Sequence, residues 1–139
     1  MKKLKYIFFL LTVTSLVHCG GTSSQTQGGA LEIVEVDGIE YELSAPLITA
    51  TKQSNDVVID LEIVSEEYFS HFEVQRKKNN GEFGPLVDTQ DVAFMDENLE
   101  GGSYTYQARS VYLIEDEFYM SDYVISNTVH FPLVLQGSK

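Results

Sequence analysis

The chain has 139 residues, 12% of them aromatic, and carries a formal net charge of −12 at pH 7. That length accommodates one domain rather than two, and the aromatic content excludes a disordered chain. The acid excess repels phosphate backbones, so nucleic acid is excluded as a partner.

The first predicted element is an address. Lys2, Lys3 and Lys5 form a positive start, and Tyr6 to Val17 is a mostly apolar run. At 1.5 Å per residue that run rises roughly 18 Å, too short for a hydrocarbon core of about 30 Å. A positive start, a short apolar run and then small residues read as a secretory signal peptide over residues 1–18. Its end, Leu16-Val17-His18-Cys19-Gly20, resembles the lipobox of bacterial lipoproteins, with Leu16 and Cys19 in place and His18 where a small residue is usual. The resemblance implies lipidation of Cys19, cleavage before it, and an envelope location tethered to a membrane; Gly20 rather than Asp after the Cys implies the outer membrane. Cys19 is the only cysteine, so no intramolecular disulfide forms. Removing the three signal lysines from nine basic residues leaves six against 21 acids, a balance near −15. Residues 19–30, with GGTSSQTQGG at 20–29, read as the lipidated Cys followed by a flexible tether.

From Leu31 onward, period-2 alternation replaces any sustained 3.6-residue period. Leu31–Val36 and Ile39–Leu43 flank Asp37-Gly38, a strong two-residue turn signal, which predicts an N-terminal hairpin over 31–43. Val57, Ile59, Leu61 and Ile63 form the inward set of one strand, and Phe72 and Val74 that of the next. Asn79-Asn80-Gly81 predicts a second tight hairpin. Val92 and Phe94 predict a short strand, Tyr104, Tyr106 and Ala108 a longer one, and Val124 to Phe131 the last. This pattern predicts an all-β antiparallel sandwich of about seven strands over 44–135, with the hairpin as an addition.

Several segments resemble a fibronectin type III domain from about Ala45 to Pro132: Pro46 to Ala50, Ile59 to Ile63, Phe72-Glu73-Val74-Gln75-Arg76, Phe94-Met95-Asp96-Glu97-Asn98-Leu99, Gly102 to Tyr106, and Ser126 to Val129. The resemblance implies an immunoglobulin-like sandwich with Tyr104 as a tyrosine corner and Leu99 as its packing partner. The family's core Trp is missing, and Ile63 or Leu61 stands in its place.

Catalytic signals are poor. His71 and His130 sit on different predicted strands without metal-ligand spacing, and His71 is expected to point outward. No nucleophile elbow or phosphate loop is present. Asp88, Asp91, Asp96 and Glu97 form an acidic corner expected to be solvated, without calcium-loop spacing. The expectation is therefore a binding module without enzymatic activity, cofactor or metal. Its candidate surface is Tyr112 to Tyr123, read as a long connection with Glu115-Asp116-Glu117 at its tip and Tyr112, Phe118, Tyr119 and Tyr123 as binding residues. In the alternative reading the two strands extend and these aromatics cover the core. The expected partners are a membrane, reached through the lipid, and a protein or glycan. An accessory subunit pairing through a sheet edge is the second functional reading.

Overall fold

The computed structural model describes residues 31–133; Cys19, the expected signal peptide and tether, and residues 134–139 lie outside the described residues. In chain order the strands are β1 (Leu31–Val36), β2 (Ile39–Ser44), β3 (Leu47–Gln53), β4 (Asp56–Glu62), β5 (Phe69–Lys78), β6 (Gly84–Thr89), β7 (Ala93–Asp96), β8 (Gly102–Ile114), β9 (Glu117–Met120), β10 (Val124–Ile125) and β11 (Val129–Phe131). β3-β4-β7 form one antiparallel sheet. The other centres on β8, with β5 and then β6 to one side and β9, β10 and β11 along the other. Face to face, the two make an immunoglobulin-like β-sandwich, and β1-β2 stand beside it as a separate hairpin.

Alternation explains the packing. Val57, Ile59 and Leu61 of β4 turn inward against Phe72 and Val74 of β5 and Tyr104, Tyr106 and Ala108 of β8, with Val129 and Phe131 closing the same cluster. Burying each large apolar side chain contributes about 1.5–3 kcal/mol over leaving it in water. Leu61 is buried in the same cluster and Ile63 packs at its margin.

Two polar devices tie the layers. Asp96 on β7 lies buried between the sheets, where Arg76 Nη1 on β5 donates to both of its oxygens at 2.8 and 2.9 Å. The Tyr106 hydroxyl on β8 donates to the same carboxylate at 2.9 Å. Asp96 therefore does not belong to the expected solvated corner; alternation from Phe94 carries it inward onto a cation and a phenol. Tyr104 supplies the second tie, donating to the Glu100 carbonyl at 3.1 Å from a buried ring, while Leu99 packs on the same cluster. Replacing Tyr104 by Phe removes one largely neutral hydrogen bond. It should cost about 0.5–1.5 kcal/mol, read as a lowered urea midpoint with an unchanged slope.

Three boundaries differ from expectation. The predicted turn forms at Lys78–Gly81, where the Gly81 N–H donates to the Lys78 carbonyl at 3.1 Å, but the connection runs through five residues before Gly84, and Asn79 also pairs with β8. Its N–H donates to the Ser103 carbonyl at 2.7 Å, and its Oδ1 accepts the Ser103 N–H at 2.9 Å. Val92 is exposed and precedes its strand, which begins at Ala93. The last strand is split at Ser126-Asn127-Thr128. There the Asn127 amide takes the Ala50 N–H at 3.0 Å and donates to the Ala50 carbonyl at 2.8 Å. A side chain thus mimics a strand and covers part of the β3 edge that would otherwise invite foreign pairing.

Candidate binding surface

β8 is 13 residues long, and its last four residues pair with β9 on one side while Val111 and Tyr112 still pair with β5 on the other. The turn is only Glu115-Asp116, both at positive φ (49° and 66°), the backbone of a two-residue hairpin connection. The long connection expected from the sequence is therefore mostly paired strand. Cross-strand partners are Val111↔Met120, Tyr112↔Tyr119, Leu113↔Phe118 and Ile114↔Glu117.

The pleat separates these residues. Leu113, Phe118 and Met120 lie on the outer face, with Phe118 58% exposed. His71 from β5 approaches Phe118 edge-on, with ring centroids 6.1 Å apart, and its Nδ1 lies 3.0 Å from Ser70 Oγ. His71 thus faces outward as expected, but it packs against the patch rather than standing free in solvent. Tyr112 and Ile114 point the other way, into a second core with Leu43, on which Val34, Val36, Tyr41, Phe69 and Tyr119 pack.

Tyr112 must accordingly be withdrawn as a binding residue, because it is 1% exposed. Its hydroxyl accepts the Ser44 N–H at 3.1 Å and donates to the Ser44 carbonyl at 2.8 Å, pinning β2 to β8. Tyr119 is half-buried on the same side, and its hydroxyl donates to the Glu117 carboxylate at 3.2 Å. Tyr123 is also half-buried. Its hydroxyl accepts from Gln75 Nε2 at 3.0 Å and donates to Glu73 at 3.3 Å, and the Arg109 guanidinium stacks 4.7 Å from its ring. Burial, foremost, raises the pKa of the Tyr123 phenol, with Glu73 adding to the effect and Arg109 opposing it. Arg109 is itself paired to Glu73 at 2.6 Å. Of the four expected binding residues, Phe118 alone is largely exposed.

The outer face therefore has two halves. One is a satisfied ladder of Glu73, Gln75, Gln107, Arg109 and Tyr123. The other is the patch of Leu113, Phe118 and Met120, with Glu115 and Asp116 at the adjoining turn and Asp122 just beyond β9. Among the described residues no three His, Cys, Asp or Glu side chains converge to hold a metal ion. His130 lies across the domain, bonded to Ser103 Oγ at 2.7 Å.

A cleft of about 320 Å³ that sequence reasoning missed lies between β2 and the β4–β5 connection, lined by Ile39 to Glu42, Ser65, Glu67 and Tyr68. Tyr41 and Tyr68 meet edge to face there at 5.2 Å and 80°. Tyr68 is held at φ 62°, uncommon for a bulky residue. The Glu67 charge, foremost, raises its phenol pKa. Only the folded chain brings residues 39–42 to residues 65–68, and neither stretch carries a motif.

No family model matches the chain. No curated protein matches it. A solved structure described as "Myokine structure" is similar at 21% identity, covering 66% of this chain and 97% of that one, with a TM-score of 0.46.

Proposed function

We propose that the chain is a lipid-anchored envelope protein that displays a fibronectin type III-like sandwich for binding a protein or glycan, without catalysing a reaction. The observation that carries the binding part is the outward patch of Phe118, Leu113 and Met120 at the β8–β9 end of the larger sheet. A side chain 58% exposed makes little contribution to its own fold, and aromatic anchors of this kind dominate interfaces when a partner covers them. Anchoring rests on the resemblance around Cys19 to a lipobox.

The test places a photo-crosslinking residue at position 118 of the full chain in its native cells. The control carries it at Met95, an exposed apolar residue on the opposite sheet. A single saturable adduct at 118, weakened about 30-fold in a Leu113→Ala background, is the expected result for a contact worth about 2 kcal/mol. Equal labelling at both sites would sink the binding-surface reading. Anchoring is tested separately: radiolabelled palmitate should enter the wild-type chain and not the Cys19→Ser variant.

A further inference from the structure

The hairpin beside the sandwich has an open side whose chemistry can be worked out. Asp37 and Gly38 (φ 49° and 83°) make a two-residue turn, so Val36↔Ile39 is the hydrogen-bonded pair next to it. Bonded and non-bonded pairs then alternate, so Val34↔Tyr41 and Glu32↔Leu43 are bonded as well. It follows that Ile39, Tyr41 and Leu43 direct their N–H and C=O groups toward β1, and Glu40, Glu42 and Ser44 direct theirs away from it. The bonds at Ser44 agree: its N–H and C=O are the pair taken by the Tyr112 hydroxyl. Glu40 and Glu42, on the same side, have no strand beside them among the described residues, and both residues line the cleft with Ser65, Glu67 and Tyr68.

We propose that this edge of β2 accepts an extended, basic segment of a partner protein by strand addition, with Glu40 and Glu42 supplying the main-chain pairing. Edges of this kind give affinity through backbone hydrogen bonds and specificity through alternate side chains. The charge of the segment follows from its surroundings. Residues opposite Glu40 and Glu42 face their carboxylates, and opposite-charge cross-strand pairs are favourable where like charges are not. Glu67 adds a third carboxylate to the cleft, whose lining contains no basic residue. Side chains on the alternate face meet Tyr41 and Tyr68, where an apolar group packs on the rings. The occupant is thus a strand of Lys or Arg alternating with apolar residues. This surface is separate from the Phe118 patch and does not depend on it.

The probe is the peptide acetyl-Lys-Val-Lys-Val-Lys-amide, titrated into the full chain and followed by amide shifts. Shifts are expected at Glu40 and Glu42, with affinity falling as salt rises. Methylating alternate peptide nitrogens keeps the charge and removes the ladder donors, and should weaken binding at least tenfold. Glu42→Pro removes one outward N–H while leaving the pairs to β1 intact, and should weaken it similarly. Glu40→Gln/Glu42→Gln keeps the backbone and should lose much of the salt dependence; thermal melts establish that both variants are folded. A methylated peptide that binds as well as the parent would overturn the proposal, leaving only attraction to an acidic surface. Shifts confined to Phe118 and Met120 would overturn it too, while supporting the patch described above.

Discussion

Replacing Arg76 by alanine should destabilise the sandwich by about 3–5 kcal/mol, the range for stranding a buried charge. Against total stabilities of about 5–15 kcal/mol for ordinary domains, that is a large share. The cost does not come from the arginine, whose side chain is 37% exposed and already partly hydrated. It comes from Asp96, 7% exposed, which would keep only the Tyr106 phenol as a partner. The reverse change, Asp96→Ala, should cost less, about 1–3 kcal/mol, since Arg76 can turn to water and the chief loss is the acceptor of a buried hydroxyl. The Arg76→Ala/Asp96→Ala pair should be less destabilised than the two single losses together, because the orphan charge is gone. Urea midpoints on the three variants decide this; equal losses for the two single changes would mean the pair acts as an ordinary surface ion pair. Tyr106 adds a pH signature. Burial, and then the bond to Asp96, raises its phenol pKa well above the ordinary tyrosine value of 10.0. A raised folded pKa contributes stability in full below the unfolded value, and this is lost as pH rises past it, since the unfolded chain ionises first. Stability should therefore fall above about pH 10, and less steeply in Tyr106→Phe.

The elements legible in the sequence were those with one covered face. Val57 to Leu61, Phe72 to Val74 and Tyr104 to Ala108 alternate cleanly because polar residues occupy the uncovered side, and each inward set lies in the main core. Asp37-Gly38 was legible because its dihedral demand is local. The end of β8 was not. Tyr112, Leu113 and Ile114 are all apolar, so the pattern there does not reveal which side the protein covers. The answer depends on β1-β2, some 70 residues earlier in the chain, packing over Tyr112 and Ile114 and leaving Leu113 and Phe118 outside. For the same reason Tyr112 and Phe118, both plausible anchors in sequence, have opposite fates. The break at Asn127 was equally hidden, because an amide replacing a strand's hydrogen bonds depends on Ala50, 77 residues away. The open edge of β2 depends on backbone direction, which side-chain pattern does not encode.

Tyr112 is where the hairpin and the sandwich become one body, and its substitution should separate them. Tyr112→Ala removes a fully buried ring from a small second core and should cost about 3–5 kcal/mol, the range for emptying a large aromatic site. A core of so few residues has little to fill the void, so loss of docking is expected in place of collapse around it. Tyr112→Phe is the sharper experiment. It keeps the ring and deletes only the hydroxyl that serves both backbone groups of Ser44, a residue 5% exposed. Leaving those groups without partners should cost about 1–3 kcal/mol, which is 5- to 150-fold in an opening equilibrium. Hydrogen exchange locates the loss. Amides of β1 and β2 should exchange faster by that factor, while those of β4, β5 and the lower part of β8 keep their protection, because their contacts lie in the other cluster. A uniform rise across both would mean that hairpin and sandwich open only together. Because one wall of the cleft belongs to β2 and the other to the β4–β5 connection, undocking would also pull the proposed peptide edge away from Tyr68. The same variant should then weaken the basic peptide while leaving crosslinking at position 118 intact, which ties the stability of the joint to the use of the edge.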